Sequence, residues 1–129
     1  MAYEIPGLSF PLPAGEDFRP ATNKGQFRFV DVSNTGKAVM PSAANKQVIG
    51  VRQNRPNANE ATTVVHNGIS FVEAGGAITA GDLVATDGTG RAVAAAGATT
   101  IVLGRALESA SAAGIQIAVL LIPNTAAAV

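Results

Sequence analysis

One phrase of this sequence occurs twice at a constant spacing, and that repeat limits what the chain can fold into. Thr35-Gly36-Lys37-Ala38-Val39 returns as Thr89-Gly90-Arg91-Ala92-Val93, and Val48-Ile49-Gly50-Val51 returns as Val102-Leu103-Gly104-Arg105. In each pair of phrases the glycine recurs 54 positions later (36 to 90, and 50 to 104). A constant offset over two pairs of phrases indicates one structural unit used twice.

The two predicted units cover about residues 22–67 and 77–122. Their short runs of Val, Ile and Ala between glycines are typical of strands and turns. We therefore predict an all-β fold, a compact β-barrel or β-sandwich of short strands, as a single domain over residues 22–123. The alternative is that Gly-turn phrases recur by chance in any all-β protein.

Several residues are predicted to form turns, because Gly accepts a positive φ and Asp bonds to its own backbone neighbours. Asp87-Gly88 predicts a short hairpin turn, and Asn67-Gly68 predicts a two-residue hairpin between residues 62–66 and 69–73. That hairpin would place His66 opposite Ile69. The predicted turn residues are Gly36, Gly68, Gly81, Asp82, Gly88 and Gly90.

Residues 1–21 are predicted to form a separate, extended N-terminal arm, since four of the seven prolines of the chain lie there. Apolar side chains spaced along an extended segment favour docking on a neighbouring subunit or partner. The alternative is an arm that packs on its own domain. The candidate contact residues are Tyr3, Ile5, Leu8, Phe10, Leu12 and Phe18. At the other end, residues 124–129 predict a flexible tail.

Residues 115–122 predict a strand that is apolar on both faces. Ile115, Ile117 and Val119 point to one side, and Ala118 and Leu120 to the other. Such a strand is either central in the core or part of a subunit interface.

The inventory of chemical groups predicts that the chain is not an enzyme. It has no cysteine and a single histidine, His66, and its nine acidic residues are scattered, so we expect no catalytic, metal or cofactor site. The net charge of zero argues against a nucleic-acid partner. No apolar run is long enough to predict a membrane span, and the N-terminus does not resemble a secretory signal.

The order of phrases resembles the small phage capsid cement, or head decoration, proteins. In that family a Thr-Ala-Gly-Asp turn, here Thr79–Asp82, precedes a Gly-Arg-Ala phrase, here Gly90–Ala92. A Gly-x-Ala-Leu-Glu phrase follows, here Gly104–Glu108, and then an alternating strand, here Gly114–Val119. The long Pro-rich segment at the N-terminus departs from the family.

The resemblance implies a non-enzymatic protein made in the bacterial cytoplasm that binds the outer surface of an icosahedral phage head. Its partner would be the major capsid protein, and it would bind as a homo-oligomer, a trimer, that stabilises the shell. The alternatives are another structural protein of the virion, such as a head-fibre base or tail component, or a small carbohydrate-binding β domain.

Overall fold

The computed structural model describes residues 5–20, 25–97 and 100–122, which form eleven strands and no helix within those ranges. The strands are short because glycines, prolines and polar turns interrupt every apolar run. They are β1 (Ile5–Pro6), β2 (Ser9–Pro13), β3 (Arg28–Val32), β4 (Ala38–Val39), β5 (Gly50–Arg52), β6 (Ala61–Val65), β7 (Gly68–Glu73), β8 (Leu83–Thr86), β9 (Ala92–Ala94), β10 (Gly104–Ala106) and β11 (Gln116–Leu121).

The strands form two antiparallel sheets, which confirms the all-β prediction. One sheet has the order β1-β7-β11-β10-β8-β9 and the other the order β2-β6-β5-β3-β4. A parallel bridge between Ala14 and Ala38 brings the end of β2 against β4, and one between Ala74 and Ala92 brings the end of β7 against β9. Each sheet therefore curls towards a small barrel.

Apart from β1, the two sheets have the same arrangement of strands, as in one structural unit used twice. Unit 1, from β2 to β6, has its strands in the same spatial order as unit 2, from β7 to β11. Residues 28–52 match residues 82–106 at the offset of 54, since Val30 pairs with Gly50 as Val84 pairs with Gly104. Both units begin one strand earlier than the predicted starts at residues 22 and 77.

The offset between the units changes at their ends because the connecting loops differ in length. In the last strand it is 55, since Val65 pairs with Val51 as Leu120 pairs with Arg105. In the first strand it is 60 (14 to 74), as the bridges of Ala14 and Ala74 show.

The N-terminal segment is extended, as predicted, but it is not a separate arm. Residues 5–13 run antiparallel to residues 61–69 as one continuous ribbon, with Ile5 opposite Ile69 and Pro13 opposite Ala61. Its prolines are tolerated because β1 and β2 are edge strands. The alternative interpretation, a segment that packs on its own domain, therefore holds for residues 5–20. Tyr3 and the predicted tail at 124–129 lie outside the described residues.

The predicted hairpin at Asn67-Gly68 is wrong, because β6 and β7 belong to different sheets. β6 lies between β2 and β5, and β7 lies between β1 and β11, so neither strand has an edge left for the other. Asn67 binds instead to the link between β1 and β2, where its Oδ1 accepts the Leu8 N–H at 2.6 Å and its carbonyl accepts the Gly7 N–H at 3.0 Å. The residues around Asn67 therefore carry the chain from one sheet to the other.

One face of unit 1 packs against unit 2. Phe29, Val51 and Val65 lie in a row across β3, β5 and β6 and belong to the main core cluster, whose other members are mostly residues of unit 2. The Phe29 N–H donates to the Gly90 carbonyl at 2.7 Å, which ties β3 to a turn of unit 2. A smaller cluster fills unit 1 itself and contains Ala14, Phe18, Val30, Ala38 and Val64.

Candidate functional site

Within residues 5–20, 25–97 and 100–122, the side chains that most often bind a metal are not brought together. No group of three or more His, Cys, Asp or Glu side chains occurs among the residues that the structure describes. His66 is half-buried, and its Nδ1 lies 2.9 Å from the Ile49 carbonyl. It borders a crevice of about 20 Å³, enough space for little more than a water molecule. Over the same residues, no helix has the length and apolar character that crossing a membrane would take.

The candidate contact residues of the N-terminal segment differ in how exposed their side chains are. Phe18 is fully buried in the core of unit 1, with the Cζ of Arg52 4.3 Å from its ring centre, so it cannot contact a partner. Phe10 and Leu12 are half-buried against the same core. Ile5 and Leu8 remain exposed. Of the described candidates, these two are the most available for contact with another molecule.

Most of the predicted turn residues lie where the chain changes direction. Gly68 does not, because it begins β7 within the continuous ribbon opposite residues 5–13, and Gly88 lies in a turn of a different kind. Gly36, Gly81 and Gly90 have φ of 77°, 95° and 84°, and Gly68 has φ of 91° at the start of β7. Asp82 accepts the Thr79 N–H through Oδ2 at 3.0 Å. Gly88 lies in the turn after β8 but lacks a positive φ, so the turn is not the short Asp87-Gly88 hairpin that the sequence predicts.

A charged cluster joins the two units beside that turn. Arg28 of unit 1 is buried and donates through Nη2 to Glu73 Oε2 of unit 2 at 3.1 Å, while Arg91 lies 3.9 Å from the same oxygen. Arg91 also approaches Asp87, with Nε 3.3 Å from Oδ2. Burial acts to raise the pKa of Asp87, but hydrogen bonds from the Arg91 and Thr89 N–H groups and the Thr89 hydroxyl, with the charge of Arg91, hold it below its usual value. This arrangement links the two units through charged side chains at their junction.

The outer face of unit 2 carries a row of four side chains, of which three are exposed and one, Ile69, is half-buried. Leu83 pairs with Arg105, Arg105 with Leu120, and Leu120 with Ile69, so the four residues lie side by side across four strands. Leu83 is 45% exposed and Leu120 is 41% exposed. We call Ile69, Leu83, Arg105 and Leu120 the exposed row. Ile5 of β1 extends it by one strand, since it pairs with Ile69.

The exposed row was missed as a set by reasoning from the sequence, although one signal pointed to it. Leu120 lies on the second apolar face of the strand at 115–122, which favours either a core strand or a subunit interface. β11 is central in its sheet and carries the core residues Ile117, Val119 and Leu121 on one face. Its other face is open at Leu120. Exposed apolar rows of this kind mark interaction surfaces.

Comparison with known proteins gives a family and a fold. The family model of phage cement proteins matches residues 20–121. No curated protein matches the chain. Among solved structures, the head fiber gp8.5 N base of bacteriophage phi29 is similar, with a TM-score of 0.70 and 22% sequence identity over 91% of this chain and 95% of that one. The likeness to the phi29 protein concerns the fold alone.

Proposed function

Because this chain belongs to the phage cement protein family and is therefore a structural protein of the phage head, we propose that it binds the outer surface of the shell as a homotrimer and joins neighbouring copies of the major capsid protein. It would be made in the bacterial cytoplasm and would add to the expanded head. It would act by binding alone, without catalysis or a cofactor.

The observation that carries this proposal is the exposed apolar surface on a member of this family. Ile5, Leu8 and the exposed row leave apolar side chains on the outside of the fold. Several weak contacts made at once by a trimer give strong attachment, since linking binding sites can raise affinity by ~10²–10⁴. Such contacts would stiffen the shell by tying capsid subunits together.

The direct test is to mix the purified protein with undecorated, expanded heads of its own phage, pellet the heads and quantify the bound protein. We expect saturation at a number of copies that is a multiple of three per lattice site. Failure to bind, at concentrations where the protein is folded, would contradict the proposal.

A charge placed at Leu8 tests the N-terminal segment as a capsid contact without removing any strand. Deletion of residues 2–20 would also remove β1, β2 and the buried Phe18. In Leu8→Lys the backbone bonds to Asn67 and His66 can persist, since Leu8 uses only its N–H and carbonyl. We expect about tenfold weaker head binding, the effect of losing one buried leucine contact. Ile115→Lys is the matched control, because Ile115 is also exposed and similar in size to Leu8 but lies outside the N-terminal segment. Equal head binding by the two variants would exclude Leu8 as a capsid contact.

A second candidate function is the base of a head fibre, because the similar phi29 structure is described as a head fibre base. A base and a cement protein share the attachment to the head and differ in what they carry outward. Electron microscopy of decorated heads separates them. A flat trimer at each site favours cement, and a fibre projecting from it favours a base.

A further inference from the structure

The exposed row of unit 2 is the counterpart of the row through which unit 1 packs on unit 2. At the offsets set by strand pairing, Phe29 corresponds to Leu83, Val51 to Arg105 and Val65 to Leu120. The first member of each pair is buried between the units, and the second is exposed. Unit 2 therefore presents, without a partner, the face that unit 1 uses to bind unit 2.

Unit 1 packs over one surface of unit 2, but no described part of the chain packs over the equivalent surface of unit 1. The surface of unit 2 on which unit 1 packs contains Ser70, Thr86, Gly90 and Leu103, all of which are buried. The Gln53 Nε2 donates to Ser70 Oγ at 3.0 Å, and the Asn45 N–H donates to the Thr86 carbonyl at 3.0 Å.

The corresponding residues of unit 1 are all more exposed. Val32 is 42% exposed where its counterpart Thr86 is 1% exposed. Phe10 and Ile49 are half-buried, and Gly36 is exposed. We call Phe10, Val32, Gly36 and Ile49 the mouth of unit 1.

The two equivalent turn glycines show the same difference between the units, since the described residues fill the space above one and leave the space above the other empty. A Cβ built on Gly90 would lie 2.6 Å from the Phe29 carbonyl oxygen, because unit 1 sits directly on that turn. A Cβ built on Gly36 meets no atom within 4 Å. The space above Gly36 therefore matches the space that Phe29 fills above Gly90.

We propose that the exposed row of one copy packs on the mouth of unit 1 in a second copy, repeating between chains the contact that the two units make within the chain. Leu83 would then take the place of Phe29, and its N–H would donate to the Gly36 carbonyl of the next copy. This inference rests on the homo-oligomer of the proposed function and names the surfaces that build it.

A contact of this kind joins two different surfaces, so it is head-to-tail and closes only as a ring. The two units of one chain are not related by a twofold axis. Such an axis would place Leu83 on Gly36 just as Phe29 lies on Gly90, but none of the residues that the structure describes lies above Gly36. Three copies closing in this way would form a ring of six equivalent units.

The contact within the chain and the proposed contact between chains differ in charge at one position, because Arg105 of unit 2 replaces Val51 of unit 1. The Arg105 Nε already donates to the Gly81 carbonyl at 3.0 Å, which directs the guanidinium towards the turn before β8. Its aliphatic stem can cover apolar surface while the charged end reaches water. The row therefore remains able to pack against an apolar mouth.

Site-specific cross-linking tests the pairing, because the chain has no cysteine of its own. Leu83→Cys and Thr35→Cys, next to Gly36, are prepared separately and treated with a short bismaleimide, alone and mixed. The proposal predicts a covalent dimer only in the mixture, and closed covalent oligomers from the double variant. A dimer of Leu83→Cys with itself would indicate a twofold contact and overturn the proposal.

Introduction of a charge into the exposed row gives an independent measurement in solution. Leu120→Lys is expected to weaken self-association at least about tenfold in sedimentation, as expected for one buried leucine. Ile115→Lys, 40% exposed but outside the row, is the matched control. Far-UV circular dichroism verifies that both variants are folded. Equal association of the two variants would contradict the proposal, as would a wild-type protein that stays monomeric at every attainable concentration.

Head binding distinguishes this inference from the proposed function. If Leu120→Lys abolishes head binding but leaves self-association unchanged, the row contacts the capsid protein and the inference is wrong while the proposed function stands. If the mixed cross-link forms but the wild-type protein does not bind heads, the head-to-tail contact stands and the proposed function fails.

Discussion

At the scale of single residues, the two units differ in charge at one core position. Arg52 in unit 1 corresponds to Ala106 in unit 2, and both are buried. The Arg52 Nε donates to the Gly25 carbonyl, but its two terminal nitrogens have no hydrogen-bond partner among the described residues. Burial lowers the pKa of Arg52 to about 9. The stacking on Phe18 offsets part of the cost of this buried charge.

Replacement of Arg52 by methionine is expected to stabilise the protein. Arg52→Met keeps much of the volume over Phe18 and removes two unsatisfied donors, each of which costs about 1–3 kcal/mol. We expect the free energy of unfolding in urea to rise by about 1–3 kcal/mol. Arg52→Ala, which leaves a cavity, is the contrasting variant. A loss of stability in Arg52→Met would mean that the guanidinium contributes more than its stacking.

The Asp87 carboxylate predicts a dependence of stability on pH. Its pKa in the folded protein lies below the ordinary value of 3.8. Its contribution is therefore complete above about 3.8 and is lost as the pH falls through the lower folded-state pKa. In Asp87→Asn the side-chain oxygen can still accept the Thr89 and Arg91 N–H groups. We expect this variant to be less stable at pH 7 and to lose less stability on acidification. Parallel acid limbs in urea unfolding from pH 7 to pH 2 would contradict the assignment.

At the scale of strands and turns, the N-terminal ribbon separates what local pattern predicts from what it does not. Spacing predicted an extended segment and placed turns at Gly36 and Gly90. It did not predict that residues 5–13 would pair with residues 61–69, because edge pairing over such a separation depends on which strand edges remain free. Asn67-Gly68 has the local chemistry of a hairpin turn, yet its flanking strands already have other neighbours in both sheets.

The equivalent glycines give a matched test of the contact between the units. Gly36 and Gly90 have similar φ, 77° and 84°, so alanine at either position carries the same backbone strain, about 1–2 kcal/mol. At Gly90 the new methyl also meets the Phe29 carbonyl oxygen. We expect Gly90→Ala to cost about 1–3 kcal/mol more than Gly36→Ala in urea unfolding of the dissociated protein. Equal losses would show that the units separate easily at this point.

At the scale of the whole molecule, the repeat was the most informative part of the sequence. The offset of 54 between Gly36 and Gly90, and between Gly50 and Gly104, predicted two units of the same topology. The exposed row could not be predicted from it, because Leu83 and Phe29 are both apolar and only the packing of unit 1 on unit 2 makes one buried and the other exposed. Burial between repeated units is a property of their arrangement, which a pattern within one unit does not encode.

The long ribbon also sets an order of events while the chain is being synthesised. Phe10 leaves the ribosome 54 residues before Val64, the residue opposite it. Until then β1 and β2 lack their partner strands, and exposed apolar strands are prone to pair with other chains. Pro6, Pro11 and Pro13 remove backbone donors from this waiting segment. We therefore expect the prolines that β1 and β2 tolerate as edge strands to reduce aggregation of the nascent chain before its partner strand exists.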